Sequence, residues 1–304
     1  MENLNRKKSI LADMSLLLVA IIWGSGFIVN KNALDYMDPI YILVLRFTLS
    51  SILMGIIFWK RLVKIKLQDL KAGVVIGIFL FLAFLAQTIG LQYTTVSKQA
   101  FITASNVVMV PFIYWFVSKK NPDIYEIIAA ILCFIGIGIL SLEGSLSISL
   151  GDGLTFICAI FFALHIISIG IYSKNHDPII LSVVQFAVAA ILSFISGIIF
   201  KINFAPITKE IGMPILYLAV VGTIIGFGIQ NVAQKYTTST HAAIILSLES
   251  VFGSFFSVIL LGEKFTFRLF LGCIIIFLAI ITAETKWNFL NNKENIKEIS
   301  DKIG

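Results

Sequence analysis

Glu249 stands near the centre of STHAAIILSLESVFGSFFSVILL, residues 239–261, a stretch long and apolar enough to cross a bilayer. An ionised carboxylate in hydrocarbon costs several kcal/mol, so an acid at this depth faces a cavity, carries a proton or finds a partner. Other polar groups share its surroundings. Asn106 falls about ten residues into its own apolar run and has Thr103 and Ser105 beside it. Arg46 lies about 10 Å below one membrane surface at helical rise, seven residues past Pro39. Its guanidinium fork could pair with Glu249 or grip a carboxylate, and its long stem could equally snorkel outward. Gln87, Gln230 and His165 are also intramembrane. The amides can hydrogen-bond a ligand or serve as interhelical glue. The histidine can be packed and hydrogen-bonded or can relay a proton. Trp23 sits mid-helix, away from the interfaces where tryptophans collect, and its indole N–H suits the wall of an amphipathic cavity.

The elements that must position these groups follow from composition. Of 304 residues, 58% are hydrophobic and only 13% charged, and the charges crowd between apolar runs. Those runs are of about 20 residues, the length that spans about 30 Å of hydrocarbon as a helix. Backbone amides in lipid must be satisfied within their own segment, so the runs are read as helices and the chain as an all-α polytopic membrane protein. Ten spans are expected: about 12–30, 39–59, 72–91, 96–116, 124–142, 153–172, 178–200, 213–232, 239–261 and 267–282. The basic segment Arg6-Lys7-Lys8 precedes a run too long for a signal peptide and without a small-residue cleavage site, so it introduces a retained first helix.

The net charge of +6 does not indicate nucleic-acid binding. Lysines and arginines lie in short loops and at the two ends, and they concentrate on the side that holds both termini, which makes that side cytoplasmic. Cys133, Cys158 and Cys273 lie within apolar runs, without the spacing of a metal site, and are read as packing residues. No metal or cofactor is expected, and no phosphate-binding loop or metalloprotease motif occurs. Gly73-xxx-Gly77 and Gly222-xxx-Gly226 are assigned to helix packing, and the 26 phenylalanines to packing or lipid contact.

Internal repetition organises the chain. At a shift of 139 residues Asp13 falls on Asp152, Asp38-Pro39-Ile40 on Asp177-Pro178-Ile179, and Arg46 on Gln185. At a shift of 143, Tyr93-Thr94-Thr95 meets Tyr236-Thr237-Thr238, Gln87 meets Gln230, and Asn106 meets Glu249. The expected division is a five-helix half over 1–143, a second over 144–285, and a charged cytoplasmic tail over 286–304. Five spans per half make the second enter from the opposite side, an inverted repeat of the kind in which substrate binds near the midplane.

With Trp23-Gly24-Ser25 in the first span, Pro39 followed by Arg46 in the second, and Ser247-Leu248-Glu249 leading to Leu261-Gly262-Glu263, the chain resembles the EamA family of the drug/metabolite transporter superfamily. The resemblance extends to about Ala283. It implies a multi-pass transporter of a bacterial-type inner membrane, often an exporter of small metabolites such as amino acids. It implies a central cavity lined by the first to fourth and sixth to ninth spans, with the fifth and tenth peripheral, and it brings Ser25 into the candidate set. The family often has proline after the glutamate of the ninth span; Ser250 stands here, so a shallower kink or none is expected.

The reading is a secondary transporter of an amino acid or related metabolite, working outward by alternating access, with protons as a candidate coupling ion. The substrate-binding or coupling set is Trp23, Ser25, Arg46, Gln87, Asn106, His165, Gln185, Gln230 and Glu249. The alternatives are an exporter of lipophilic cations, a membrane enzyme and a non-transporting scaffold.

Overall fold

A computed structural model describes residues 2–118, 123–141, 149–204, 206–237 and 239–286. The connection between the expected halves and all of the expected tail beyond Lys286 lie outside the described residues. Among the described residues the chain is helical, without strands. The helices are α1 (Glu2–Leu34), α2 (Pro39–Ile57), the single turn α3 (Trp59–Leu62), α4 (Leu67–Gly90), α5 (Val96–Ala104), α6 (Asn106–Ser118) and α7 (Ile124–Ser141). They continue with α8 (Leu150–Tyr172), α9 (Pro178–Ile199), α10 (Lys209–Tyr217), α11 (Gly226–Ala233), α12 (Ser239–Ser247), α13 (Glu249–Phe256) and α14 (Phe267–Thr285). Two π-helical stretches, Leu218–Ile225 and Ser257–Leu261, join α10 to α11 and extend α13.

Seven helical runs are long and apolar enough to cross a bilayer, counting α5–α6 and α10–α11 as continuous runs. Three further apolar runs, Ile127–Ile139, Ile245–Leu261 and Phe267–Thr282, are shorter. This is a multi-pass membrane protein. Its outer surface is apolar in helical stripes: Ile191, Phe194, Ile195, Ile198 and Ile199 of α9 are exposed, while Gln185, Ala189 and Ser193 on the other face are buried. Such a surface suits lipid, where only the interior can hold polar groups.

The matches at 139 residues have a local cause. Asp38 and Asp177 are helix N-caps, accepting from the N–H of Ile40 at 2.8 Å and Ile179 at 2.9 Å, each followed by proline in the first turn. An Asx side chain satisfies an orphan amide there, and proline has no amide to lose. Thr95 caps α5 in the same manner; Thr238 lies outside the described residues.

The helices pack around a centre. α4 lies against α8 and α9, α1 against α11 and α13, and α2 against α9. α7 and α14 pair with each other, and Cys133 and Cys273 lie in the apolar cluster that joins this pair to α5, α6, α8 and α12. At one end of the bundle Glu263 accepts from the N–H groups of Val96 and Ser97 at 2.8 and 3.2 Å and from the Ser97 hydroxyl at 2.7 Å, capping α5 from across the sequence. Near that end Thr94 donates to Asp152 at 2.6 Å. At the other end Arg61 pairs with Asp177 at 2.9 Å and His176 with Asp69 at 2.6 Å.

Close approach of α4 and α9 requires Gly73 and Gly77. A Cβ on Gly73 would lie 2.5 Å from Val184 Cβ, and one on Gly77 would lie 2.7 Å from Val188 Cβ and 2.9 Å from the Gln185 carbonyl oxygen. Gly55 of α2 meets nothing within 4 Å. Gly77→Ala is therefore expected to destabilise the protein by about 1–3 kcal/mol through overpacking. Gly55→Ala should be neutral or stabilise by up to about 1 kcal/mol through helix propensity. Thermal unfolding in detergent, followed by fluorescence-detected size exclusion, separates the two.

Candidate functional site

The site begins with one face of α1. Trp23, Gly26, Phe27 and Asn30 follow helical spacing and line a common cavity. Opposite them stand Leu218 and Gly222 of the π-helical stretch and Phe227 and Gln230 of α11. Arg46 of α2, Phe84 and Gln87 of α4, Asn106 at the start of α6, Phe162, His165 and Ile166 of α8, Leu246 of α12 and Glu249 at the start of α13 complete the lining. The cavity volume is about 50 Å³, so the cavity is a narrow slot.

Two helix interruptions deliver its polar floor. α5 gives way to α6 at Ser105, and α12 to α13 at Leu248. At each, the backbone tightens to three-residue hydrogen bonds: Ser105 N–H to Ile102 and Val108 N–H to Ser105, then Leu248 N–H to Ile245 and Val251 N–H to Leu248. The interruptions are 143 residues apart, and Asn106 and Glu249 are the residues that follow them. The ninth span is thus interrupted at Leu248, with Ser250 and no proline after the glutamate. The Ser250 hydroxyl donates to the Ser247 carbonyl at 2.7 Å, a local bond that supports the tightened turn.

Arg46 does not snorkel. It is only 4% exposed, its Nε donates to Thr223 Oγ1 at 2.6 Å, and its guanidinium lies over the Phe84 ring at 4.2 Å. Among the described residues no carboxylate pairs with it. Glu249, 7% exposed, also has no hydrogen-bond or ion-pair partner among the described residues, so it does not tie two helices together. One slot therefore holds a cationic group and an acid that do not pair with each other.

Neutral polar atoms in the lining are similarly underused. Asn30 Oδ1, Asn106 Oδ1, His165 Nδ1 and both side-chain polar atoms of Gln230 are buried without a protein partner. Buried polar atoms are nearly always hydrogen-bonded, so these atoms around one cavity suit another molecule or water, although other unpartnered polar atoms are buried elsewhere, as on Thr88, Gln234 and Ser254. His165 Nε2 lies 2.9 Å from Gln185 Oε1. With the amide oxygen facing it, Nε2 donates and Nδ1 is left as an acceptor. Phe162 and Phe227 stand edge-on to the imidazole at 6.5 and 5.5 Å.

Of the nine residues expected from sequence, Trp23, Arg46, Gln87, Asn106, His165, Gln230 and Glu249 line the cavity. Gln185 stands behind it and reaches it through His165. Ser25 is not in the lining; its hydroxyl bonds the Ile22 carbonyl and lies 2.5 Å from the Tyr217 hydroxyl, joining α1 to α10. The cavity draws on the expected spans except the seventh, α9, which contributes only that indirect contact.

Sequence reading missed Asn30, although it lies seven residues from Trp23 on the same helical face. It also assigned Gly222 and Gly226 to packing alone. A Cβ on Gly226 would lie 2.5 Å from Trp23 Nε1, so Gly226 makes room for a cavity residue, whereas one on Gly222 would lie 3.4 Å from an Arg46 terminal nitrogen, an ordinary contact. Phe27, Phe84, Phe162 and Phe227 belong to the cavity wall and not to the lipid face. Asn231 donates to Ser182 at 2.6 Å and acts as glue between α11 and α9.

A helical membrane bundle around a buried, polar, aromatic-walled cavity defines the class: a multi-pass membrane protein equipped to hold a small molecule within the bilayer. The chain belongs to the EamA-like transporter family, whose model matches it twice, over residues 10–142 and 149–284. An uncharacterized transporter of Archaeoglobus fulgidus is 38% identical over 274 residues, covering 90% of this chain and 86% of that one. A probable amino-acid metabolite efflux pump of Salmonella typhimurium is 28% identical over 291 residues, covering 90% of this chain and 93% of its own. An Escherichia coli protein of the same name matches at 28% over 291 residues. A solved crystal structure, 13% identical, superposes with a TM-score of 0.69 over 92% of this chain and 98% of its own, a likeness of fold. The chain is a transporter and not an enzyme.

Because Glu249 makes no structural bond, Glu249→Gln should leave thermal stability within about 1 kcal/mol of wild type. Thermal unfolding in detergent checks this. A loss of several kcal/mol would return the residue to a structural role.

Proposed function

We propose that this transporter moves a small zwitterionic metabolite, an amino acid or a close relative, outward across the cell membrane by proton-coupled alternating access. One observation carries the reading: Arg46 and Glu249 line the same narrow cavity without pairing, opposite charges held open for a ligand that brings its own carboxylate and amine. A guanidinium fork suits a carboxylate, and the aromatic wall from Trp23, Phe84, Phe162 and Phe227 suits an apolar substituent. The efflux pumps named among the relatives support export and an amino-acid-like cargo.

Alternating access draws support from the repetition. Counting the three shorter apolar runs as crossings gives ten spans, five in each segment matched by the family model. α4 packs on α8 and α9 as the α10–α11 run packs on α1 and α2, and the helix interruptions occur at one repeat register. Two inverted halves with these reciprocal contacts could exchange conformations and expose the cavity alternately. The excess of basic residues at one end favours cytoplasmic termini. Arg46 in the lining counts against an exporter of lipophilic cations, and the cavity itself counts against a scaffold.

The test is transport of a panel of labelled amino acids and organic cations in proteoliposomes, with and without a pH gradient. Saturable movement of an amino acid that follows the gradient is expected for wild type. Glu249→Gln should lose the response to the gradient, because an amide cannot take up and release the proton. Movement of cations alone would overturn the zwitterion reading, and a gradient response that survives in Glu249→Gln would remove that residue from coupling.

A further inference from the structure

We propose that Thr223 is a positioning residue that holds Arg46 away from Glu249 and so keeps both charges available to the substrate. The inference rests on the zwitterion reading for its consequence in transport, but its structural basis is independent.

Arg46 is anchored by a short ladder between α2 and the π-helical stretch Leu218–Ile225. On one rung Arg46 Nε donates to Thr223 Oγ1 at 2.6 Å. On the next, one helical turn away, the Ser50 hydroxyl lies 2.7 Å from the Arg46 carbonyl and 3.0 Å from the Ala219 carbonyl. Thr223 spends its own proton on the Leu218 carbonyl, five residues back, at 2.8 Å. Its oxygen is therefore oriented as an acceptor toward Arg46. The guanidinium packs beside the π-helical backbone at Gly222, whose Cβ would make an ordinary 3.4 Å contact with an Arg46 terminal nitrogen. A π-helical turn interrupts regular bonding and recurs at functional sites.

A guanidinium has two faces able to fork a carboxylate, one that uses Nε and one that uses only the terminal nitrogens. Thr223 occupies the first. The terminal nitrogens have no hydrogen-bond partner among the described residues, and Arg46 belongs to the cavity lining. Without the threonine hydroxyl, Nε would be left buried and unsatisfied, at a cost that favours any new acceptor. The carboxyl group in the same cavity is Glu249. A direct Arg46–Glu249 pair would neutralise both groups and remove the site's charge complementarity.

Thr223→Val keeps the shape and deletes the hydroxyl, whereas Thr223→Ser keeps the hydroxyl. The first readout is substrate-free: thermal unfolding of wild type, Thr223→Val, Glu249→Gln and the double variant in detergent. If Thr223 separates the charges, Glu249→Gln lowers the Tm of Thr223→Val by several degrees and that of wild type and Thr223→Ser hardly at all. Additive shifts overturn the proposal. The second readout is transport kinetics with the amino-acid panel. Thr223→Val should raise KM about tenfold with a smaller change in maximal rate, the size expected for one hydrogen bond to a charged group, and Thr223→Ser should restore it. A KM for Thr223→Val equal to that of wild type overturns the positioning role. If Arg46→Gln also leaves KM unchanged, or wild type carries no amino acid, the zwitterion reading fails, and the unfolding cycle still decides whether Thr223 holds the charges apart.

Discussion

Hydrocarbon offers no hydrogen bonds, and this one constraint shapes every level of the molecule. It makes the chain helical and places caps where helices end, with Asp38 and Asp177 serving helices whose next residue is proline. It also sets the meaning of each interior polar atom. Most are paired: Asn231 with Ser182, Gln99 with the Gln87 carbonyl, His165 with Gln185. In the cavity Asn30, Asn106, Gln230 and one nitrogen of His165 lack protein partners. Unpartnered buried polar atoms also occur outside the cavity, on Thr88, Gln234 and Ser254 and on the second side-chain atoms of Gln99 and Asn231; what sets the cavity apart is that several of them line one space together with Arg46 and Glu249.

Regular helix is abandoned at the places that serve this cavity. Turns tightened to three-residue bonds bring Asn106 and Glu249 to it, and a widened turn over Leu218–Ile225 receives Trp23 Nε1 on the Gly222 carbonyl at 2.9 Å and Arg46 on Thr223. Tight and wide turns both free backbone groups, which in a bilayer is tolerated only against protein or a water-filled space. Thr223 and Ser250 show how side-chain hydroxyls take up carbonyls that the altered winding releases.

These physical roles explain what the sequence made legible. Helix positions were readable because length and hydropathy fix them. The matches at a fixed shift were readable because they include capping residues, whose chemistry tolerates few replacements. Charged and amide residues of the cavity were readable because hydrocarbon makes them rare. Thr223 and Gly222 were not, since threonine and glycine are ordinary within membrane helices and only the local π winding gives them a role. The cavity phenylalanines were hidden among 26 of the same type, most of them suited equally to lipid and to packing. Ser25 shows the reverse: it was adopted because it follows Trp23 by two residues in a motif, but on a helix residues two apart point about 160° apart, and its hydroxyl lies against the Tyr217 hydroxyl instead.

Under the proposed repeat, the site is more asymmetric than the scaffold that builds it, and electrostatics gives the reason. Arg46 corresponds in register to Gln185, and Glu249 to Asn106, so each half supplies one charge and one neutral polar mate. Four charged groups would set like charges against each other in a medium that screens poorly. A symmetric cavity with none would bind a zwitterion through neutral groups alone. On the proposed reading, one cation and one acid from opposite halves would leave the slot with little net charge while still matching a zwitterion. On that same reading a zwitterionic ligand would supply the pairing, its two charged ends connecting the halves whose relative movement would carry it across.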